Sequence, residues 1–177
     1  MVLCVDAYGG PVGQLDVVSA HTAPGTMHLA CSAVVFGPDD TVLVQRRADH
    51  KPTFAGQWSN TCCTHPFPQE SPHRAAERRL TEELGISVSL RPAGLFRYRA
   101  VDEVTTMVEH ELDHVFIGET PITLQTVPDR AEVAESAWIT LHETCQRIER
   151  GDPCLTPWFA MVMRLACAAR TASTWSM

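Results

Sequence analysis

Residues 60–86 hold acids and arginines at spacings that can do chemistry. Glu70 is followed, after seven residues, by Arg78-Arg79-Leu80-Thr81-Glu82-Glu83-Leu84-Gly85-Ile86. Acids gathered at one end of a helix collect a hard cation such as Mg²⁺ through oxygen ligands, and that cation clamps a diphosphate. A solvated helix laced by ion pairs has the same ingredients, since Arg78–Glu82 and Arg79–Glu83 lie four apart. Further on, Glu109 and Glu111 are two apart in a strand-like run, so their carboxylates share a face about 7 Å apart. His110 and His114 point the other way.

The elements that must position these groups are readable. His28–Phe36 reads as a buried strand, Gly37–Asp40 as a turn, and Thr41–Arg47 as the returning strand. Ser71 caps a helix with Pro72 at its first position and Gly85 just past its end. Its apolar residues Ala76, Leu80 and Leu84 recur every four positions. Leu95–Ala100, Val108–Gly118 and Ser136–Leu141 read as further strands. A short helix then ends near Gly151, and a C-terminal helix runs from Thr156-Pro157 to about Arg170. Strands, a central helix, more strands and then helices predict a mixed sheet covered by helices, of the α/β (α+β) class.

Composition excludes several functions. A chain of 177 residues, 45% apolar, suits one domain with a full core. The net charge of −7, with no long Lys/Arg run, argues against nucleic acid as a partner. No apolar stretch approaches the roughly 20 residues that span a membrane, and the N-terminal run carries Asp6 and is too short for a signal peptide. Seven scattered cysteines, an odd number, predict free thiols and a cytoplasmic location rather than a disulfide framework.

The helix segment comes close to the Nudix box: Gly, five residues, Glu, seven residues, Arg-Glu-apolar-X-Glu-Glu-X-Gly-apolar. The flanking residues narrow the resemblance. Asn60-Thr61-Cys62-Cys63-Thr64-His65-Pro66 precedes the box, with His21-Thr22 and His28-Leu29 upstream. Phe96-Arg97-Tyr98-Arg99, Val108-Glu109-His110-Glu111 and Pro157-Trp158 follow it. Together, from about residue 3 to about residue 165, the chain resembles the type 1 isopentenyl-diphosphate isomerases of the Nudix superfamily.

That resemblance implies a single Nudix-fold domain over residues 1–177 and a set of site residues. His21, His28, His65, Glu109 and Glu111 become ligands of one divalent transition metal, for which imidazole with carboxylate suits Zn²⁺, Mn²⁺ or Fe²⁺. Glu83 and the backbone carbonyl of Cys63 hold a diphosphate-bridging Mg²⁺. Cys63 is the acid/base on one face of the substrate, and Glu111 with Tyr98 acts on the other. Arg47, Lys51 and Arg79 meet the diphosphate, and Trp158 offers an aromatic face to a carbocation. His50, His73, His110, His114 and His142 read as ordinary histidines, Cys31, Cys62 and Cys167 as buried thiols, and Arg46 as a solvated or structural residue. The implied partner is a small-molecule prenyl diphosphate, with no membrane or nucleic acid, acted on by a monomer or weak homodimer.

Three positions depart from the family pattern. The leading box glycine is Thr64, and the Glu after Arg78 is Arg79, so a cation stands where hydrolases hold metals for water attack. Val17 stands where bacterial members carry Lys, which removes one diphosphate contact worth about 1–3 kcal/mol. Two other activities therefore stay open beside the isomerase: turnover of another prenyl diphosphate in a terpenoid pathway, and Nudix hydrolysis.

Overall fold

The computed structural model describes residues 1–173. In chain order it contains β1 (Val2–Val5), β2 (Pro11–Leu15), α1 (Val17–His21), β3 (His28–Phe36), β4 (Thr41–Arg47), β5 (Trp58–Ser59) and β6 (Cys62–Thr64). There follow α2 (Pro72–Leu84), β7 (Arg91–Val101), β8 (Val108–Glu119), β9 (Val133–Thr140), α3 (Leu141–Glu149) and α4 (Phe159–Ser173). No helix among the described residues is long and apolar enough to cross a membrane.

The sheet is mixed, as the run of elements predicts, and β3 is its spine. All nine residues of β3 are buried. It pairs in parallel with β8 along its whole length, from His28↔Glu111 to Phe36↔Glu119. On its other side it pairs antiparallel with β6 and, at its end, with β4. β7 extends the sheet beyond β8, β9 extends it beyond β4, and the β1–β2 hairpin joins at the start of β3.

Helices cover both faces. α2 lays Ala75, Ala76, Leu80 and Leu84 on Cys31, Ala33, Val35 and Phe116. Burying each leucine there is worth about 1.5–3 kcal/mol. α4 lays Phe159, Val162, Met163 and Ala166 on the opposite face, against Val34, Phe36, Val115 and Ile117. The period of two along β3 and β8 makes this second face change character along its length. It is apolar where α4 sits and polar at the other end, with His28 and Ser32 on β3 and Glu109, Glu111 and Asp113 on β8.

Helix α2 begins and ends where its caps require. The Ser71 side chain accepts the Arg74 N–H at 3.3 Å, and Gly85 takes φ 67°, a left-handed value that glycine adopts without strain. Several elements differ from the sequence expectation. β7 begins at Arg91 rather than Leu95, because a register shift between Pro92 and Gly94 lets the strand continue past two residues poor in strand propensity. β9 begins earlier, at Val133, and Leu141 opens α3 behind the Thr140 cap. α4 starts at Phe159, since Thr156 is held by β5: its N–H bonds the Trp58 carbonyl and its hydroxyl bonds Ser59.

Candidate active site

The polar end of the sheet opens into a cavity of about 260 Å³. Its lining includes His21, Arg47, Lys51, Cys63, His65, Arg79, Tyr98, Glu109, Glu111 and Trp158. His28 and Glu83, the other two site residues expected from sequence, lie behind this surface and are buried. His73 and His110 bond backbone carbonyls instead, of Leu90 and Gly25, and Arg46 pairs with Asp49 on the outside.

Sheet register makes the constellation. His28 lies beside Glu111 in the parallel pair, Tyr98 lies opposite Glu111, and Ser32 lies opposite Cys63. The α1 helix, capped by Asp16, brings His21 to Glu109, with Nε2 2.8 Å from Oε2. One ligand atom from each of His21, His28, His65, Glu109 and Glu111 falls within 4.8 Å of every other.

The set fits a divalent transition metal. His21 Nδ1 bonds the Val17 carbonyl at 2.6 Å, and His28 Nδ1 bonds the Thr26 carbonyl at 2.8 Å. Each bond fixes its ring and turns the Nε2 lone pair inward. The Nε2 atoms of His28 and His65 stand 3.1 Å apart and both face Glu111 Oε1, at 3.5 and 2.8 Å, a convergence of nitrogen and oxygen donor atoms that a shared cation would suit. Burial alone would lower the His21 pKa, but Glu109 outweighs it and raises it. Burial would likewise raise Glu111, yet hydrogen bonds from His28 and His65 hold it well below the usual carboxylate range.

Cys63 sits beside this cluster. Its Sγ lies 3.1 Å from Asn60 Oδ1 and 3.3 Å from Ser32 Oγ. Burial, with the nearby Asp113 charge, pushes the thiol up to about 12, so it rests protonated. Tyr98 donates to Glu111 Oε2 at 2.5 Å, and burial raises this phenol well above its ordinary value. Trp158 stands 5.7 Å from Tyr98 between ring centroids, meets Phe54 edge-on, and donates its Nε1–H to Ser59. The Arg47 guanidinium carbon lies 5.6 Å from the Trp158 ring centre.

Glu83 is enclosed. Arg79 donates to its Oε1 twice, through Nε and Nη2, and Gln45 donates once to its Oε2, which keeps one lone pair free. Burial raises its pKa, and Arg79 opposes that rise. Arg79 itself meets three carboxylates: Glu82, Glu83 and Glu132.

Residues that sequence reasoning left without a role also join the site. Asn60 fixes the Cys63 loop, its amide donating to the Ala33 and Cys62 carbonyls. Thr53 donates to Glu109 Oε1 at 2.7 Å. Asp113 accepts from Ser32 at 2.7 Å, and its buried Oδ1 has no hydrogen-bond partner among the described residues. The period of two from Glu109 through Glu111 was the signal for Asp113. Val17, Pro52, Thr64, Phe67, Met107 and Met1 complete the lining, with Val17 bringing an apolar side chain to the rim.

A mixed sheet between helices, with an Arg/Glu helix beside the cavity, is the architecture of a Nudix domain, and the NUDIX domain family model matches residues 26–159. A crystal structure of a protein from Deinococcus radiodurans shares the fold, with a TM-score of 0.72, 18% identity, and coverage of 93% of this chain and 98% of that one. A MutT protein from Methanosarcina mazei does so with a TM-score of 0.64 and 20% identity, over 78% of this chain and 92% of that one. Within the Nudix proteins the chain belongs to the isopentenyl-diphosphate Delta-isomerase family. It is 46% identical to the isopentenyl-diphosphate Delta-isomerase of Nocardia farcinica over 93% of both chains. It is 42% identical to that of Halorhodospira halophila, over 92% of this chain and 93% of the relative.

Proposed function

We propose that this enzyme converts isopentenyl diphosphate to dimethylallyl diphosphate by protonating the alkene to a tertiary carbocation and removing a different proton. The observation that carries the mechanism is that a protonated thiol, Cys63, and a carboxylate–phenol pair, Glu111–Tyr98, line one cavity with three cations. Two proton-handling groups with unlike environments are what a proton addition followed by a proton removal requires. Glu111 with Tyr98 serves one face of the substrate and Cys63 the other. Trp158, packed against Phe54 and Tyr98, faces the cation formed between the two steps.

His21, His28, His65, Glu109 and Glu111 would hold a divalent transition metal, Mn²⁺ or Zn²⁺, which supplies Lewis acidity to the groups around it. Glu83 and the Cys63 carbonyl would hold Mg²⁺ against the diphosphate, which Arg47, Lys51 and Arg79 meet from the cavity wall. Arg79 is a cation where a hydrolase keeps an acid, which favours binding the diphosphate over cutting it. Each role is met by residues of one chain, so a monomer or weak homodimer suffices. The seven free thiols suit the reducing cytoplasm.

Product analysis tests this reading. Incubation with isopentenyl diphosphate and divalent metal gives dimethylallyl diphosphate with no phosphate release. Inorganic phosphate or a monophosphate as the product would refute it, as would intact isopentenyl diphosphate beside turnover of a longer prenyl diphosphate.

A further inference from the structure

We infer that Glu132, outside the cavity and outside the box, is the positioning residue that sets the cation pair Lys51–Arg79 for the diphosphate. Its single oxygen Oε2 meets Lys51 Nζ at 2.6 Å and Arg79 Nη2 at 3.2 Å. Both cations line the cavity and Glu132 does not, so the carboxylate holds them from behind. A carboxylate there neutralises the repulsion between two converging cations without competing for their cavity-facing hydrogens.

The backbone delivering Glu132 is tied on two sides. Its carbonyl accepts the Ala48 N–H at 3.0 Å, where β4 leads toward Lys51. Its N–H bonds the Asp129 carbonyl, and the Asp129 N–H bonds the Glu83 carbonyl near the end of α2. The turn before β9 thus links the two segments that carry the cations. The anchors differ in redundancy. Arg79 keeps Glu82 and Glu83 if Glu132 is lost. Among the described residues, Glu132 is the one side-chain partner of the Lys51 ammonium. A freed Lys51 regains the rotamer freedom that binding must then remove.

The inference rests on the cavity being the diphosphate site, and the test separates the two claims. Steady-state kinetics on isopentenyl diphosphate and calorimetric binding of magnesium pyrophosphate are measured for Glu132→Ala, Glu132→Gln, Lys51→Ala and the Glu132→Ala/Lys51→Ala double variant, each with its Tm. In Glu132→Ala, KM and the pyrophosphate Kd rise about tenfold with kcat within about twofold, the split expected when ground-state and transition-state binding fall together. Glu132→Gln, which keeps an acceptor for both cations but not the charge, recovers part of the loss. In the Lys51→Ala background, removing Glu132 adds less than about a further twofold, because the two act as one unit. Wild-type KM and Kd in a folded Glu132→Ala, beside a weakened Lys51→Ala, overturn the positioning role. Unchanged binding in both single variants overturns the diphosphate assignment of this wall, and the inference with it. Should Glu132→Ala not fold, Glu132→Gln decides: a loss in it as large as that of Lys51→Ala contradicts the rescue.

Discussion

Cys63 and Cys62 are neighbours with opposite fates. Cys62 points into the α2 core, fully buried, while Cys63 faces the cavity beside Ser32 and Asn60. Cys63→Ala is expected to abolish turnover at unchanged metal content and near-native Tm. Cys62→Ala is expected to lose stability only, about 1 kcal/mol for a small buried side chain, and to keep its turnover. Loss of activity in a folded Cys62→Ala would mean that the wrong thiol was assigned. Glu111→Gln removes the carboxylate's charge and basicity and replaces one of the two oxygens that meet Tyr98 and His65 by an NH₂ group, so turnover falls by several orders of magnitude, as measured by product formation. The residues placed here by motif were legible because their types and spacing survive in one dimension. Ser32, Thr53 and Glu132 were not, because each acts through a tertiary contact that no local pattern marks.

Helix α2 does two jobs with its two sides: one face packs the core and the other carries the acids and arginines. Leu80→Ala is expected to cost about 2–5 kcal/mol in denaturant unfolding, since it opens a cavity under the site. The entry to this helix is stapled by Glu70, whose two oxygens accept from Arg78 Nε and Nη2, both at 2.8 Å. The Arg78 hydrogen bonds lower the Glu70 pKa below its ordinary 4.5. A lowered carboxylate contributes stability above its unfolded value and loses it as pH falls through the folded one. Glu70→Gln is therefore expected to be about 0.5–1 kcal/mol less stable than wild type at neutral pH, the range of a solvent-screened ion pair. That gap closes as the pH is lowered below 4.5, and urea titrations at several pH values check it. A gap that stays constant down to strongly acidic pH would show that the ion pair is not its cause. This helix was legible because its caps, Ser71 and Gly85, are local signals. β1, β2, α1 and β6 were not: they are three to five residues long, and the residues of β2 are largely exposed, so no hydrophobic period develops.

At the scale of the whole molecule, three segments far apart in the chain converge on one set that could hold a metal ion, and each brings a group that is costly to bury alone. Chelation is expected to abolish activity and to lower Tm, and added Mn²⁺, Zn²⁺ or Mg²⁺ to restore both in proportion to occupancy, by about 2.7 kcal/mol at a hundredfold excess over Kd. Calorimetry with and without chelator measures it, and a Tm indifferent to metal would remove the cluster from the account. The broad architecture was legible because β3, β4 and β8 are strongly patterned. The way β8 lies parallel to β3 was not, because pairing across the chain leaves no mark in either strand alone.

That parallel pairing also imposes an order in time. His28 and Glu111 meet only when β8 exists to lie beside β3, and the intervening chain must first be closed into a long loop, a slow step in folding. A nascent chain that has emerged only as far as β7 holds all three histidines of the candidate metal set but neither glutamate. Such a chain has three of the five candidate ligands and lacks the strand β8 that completes their frame. A metal ion held by this set would therefore be loaded only once β8 has been made and laid beside β3, and its presence would report that this pairing has formed.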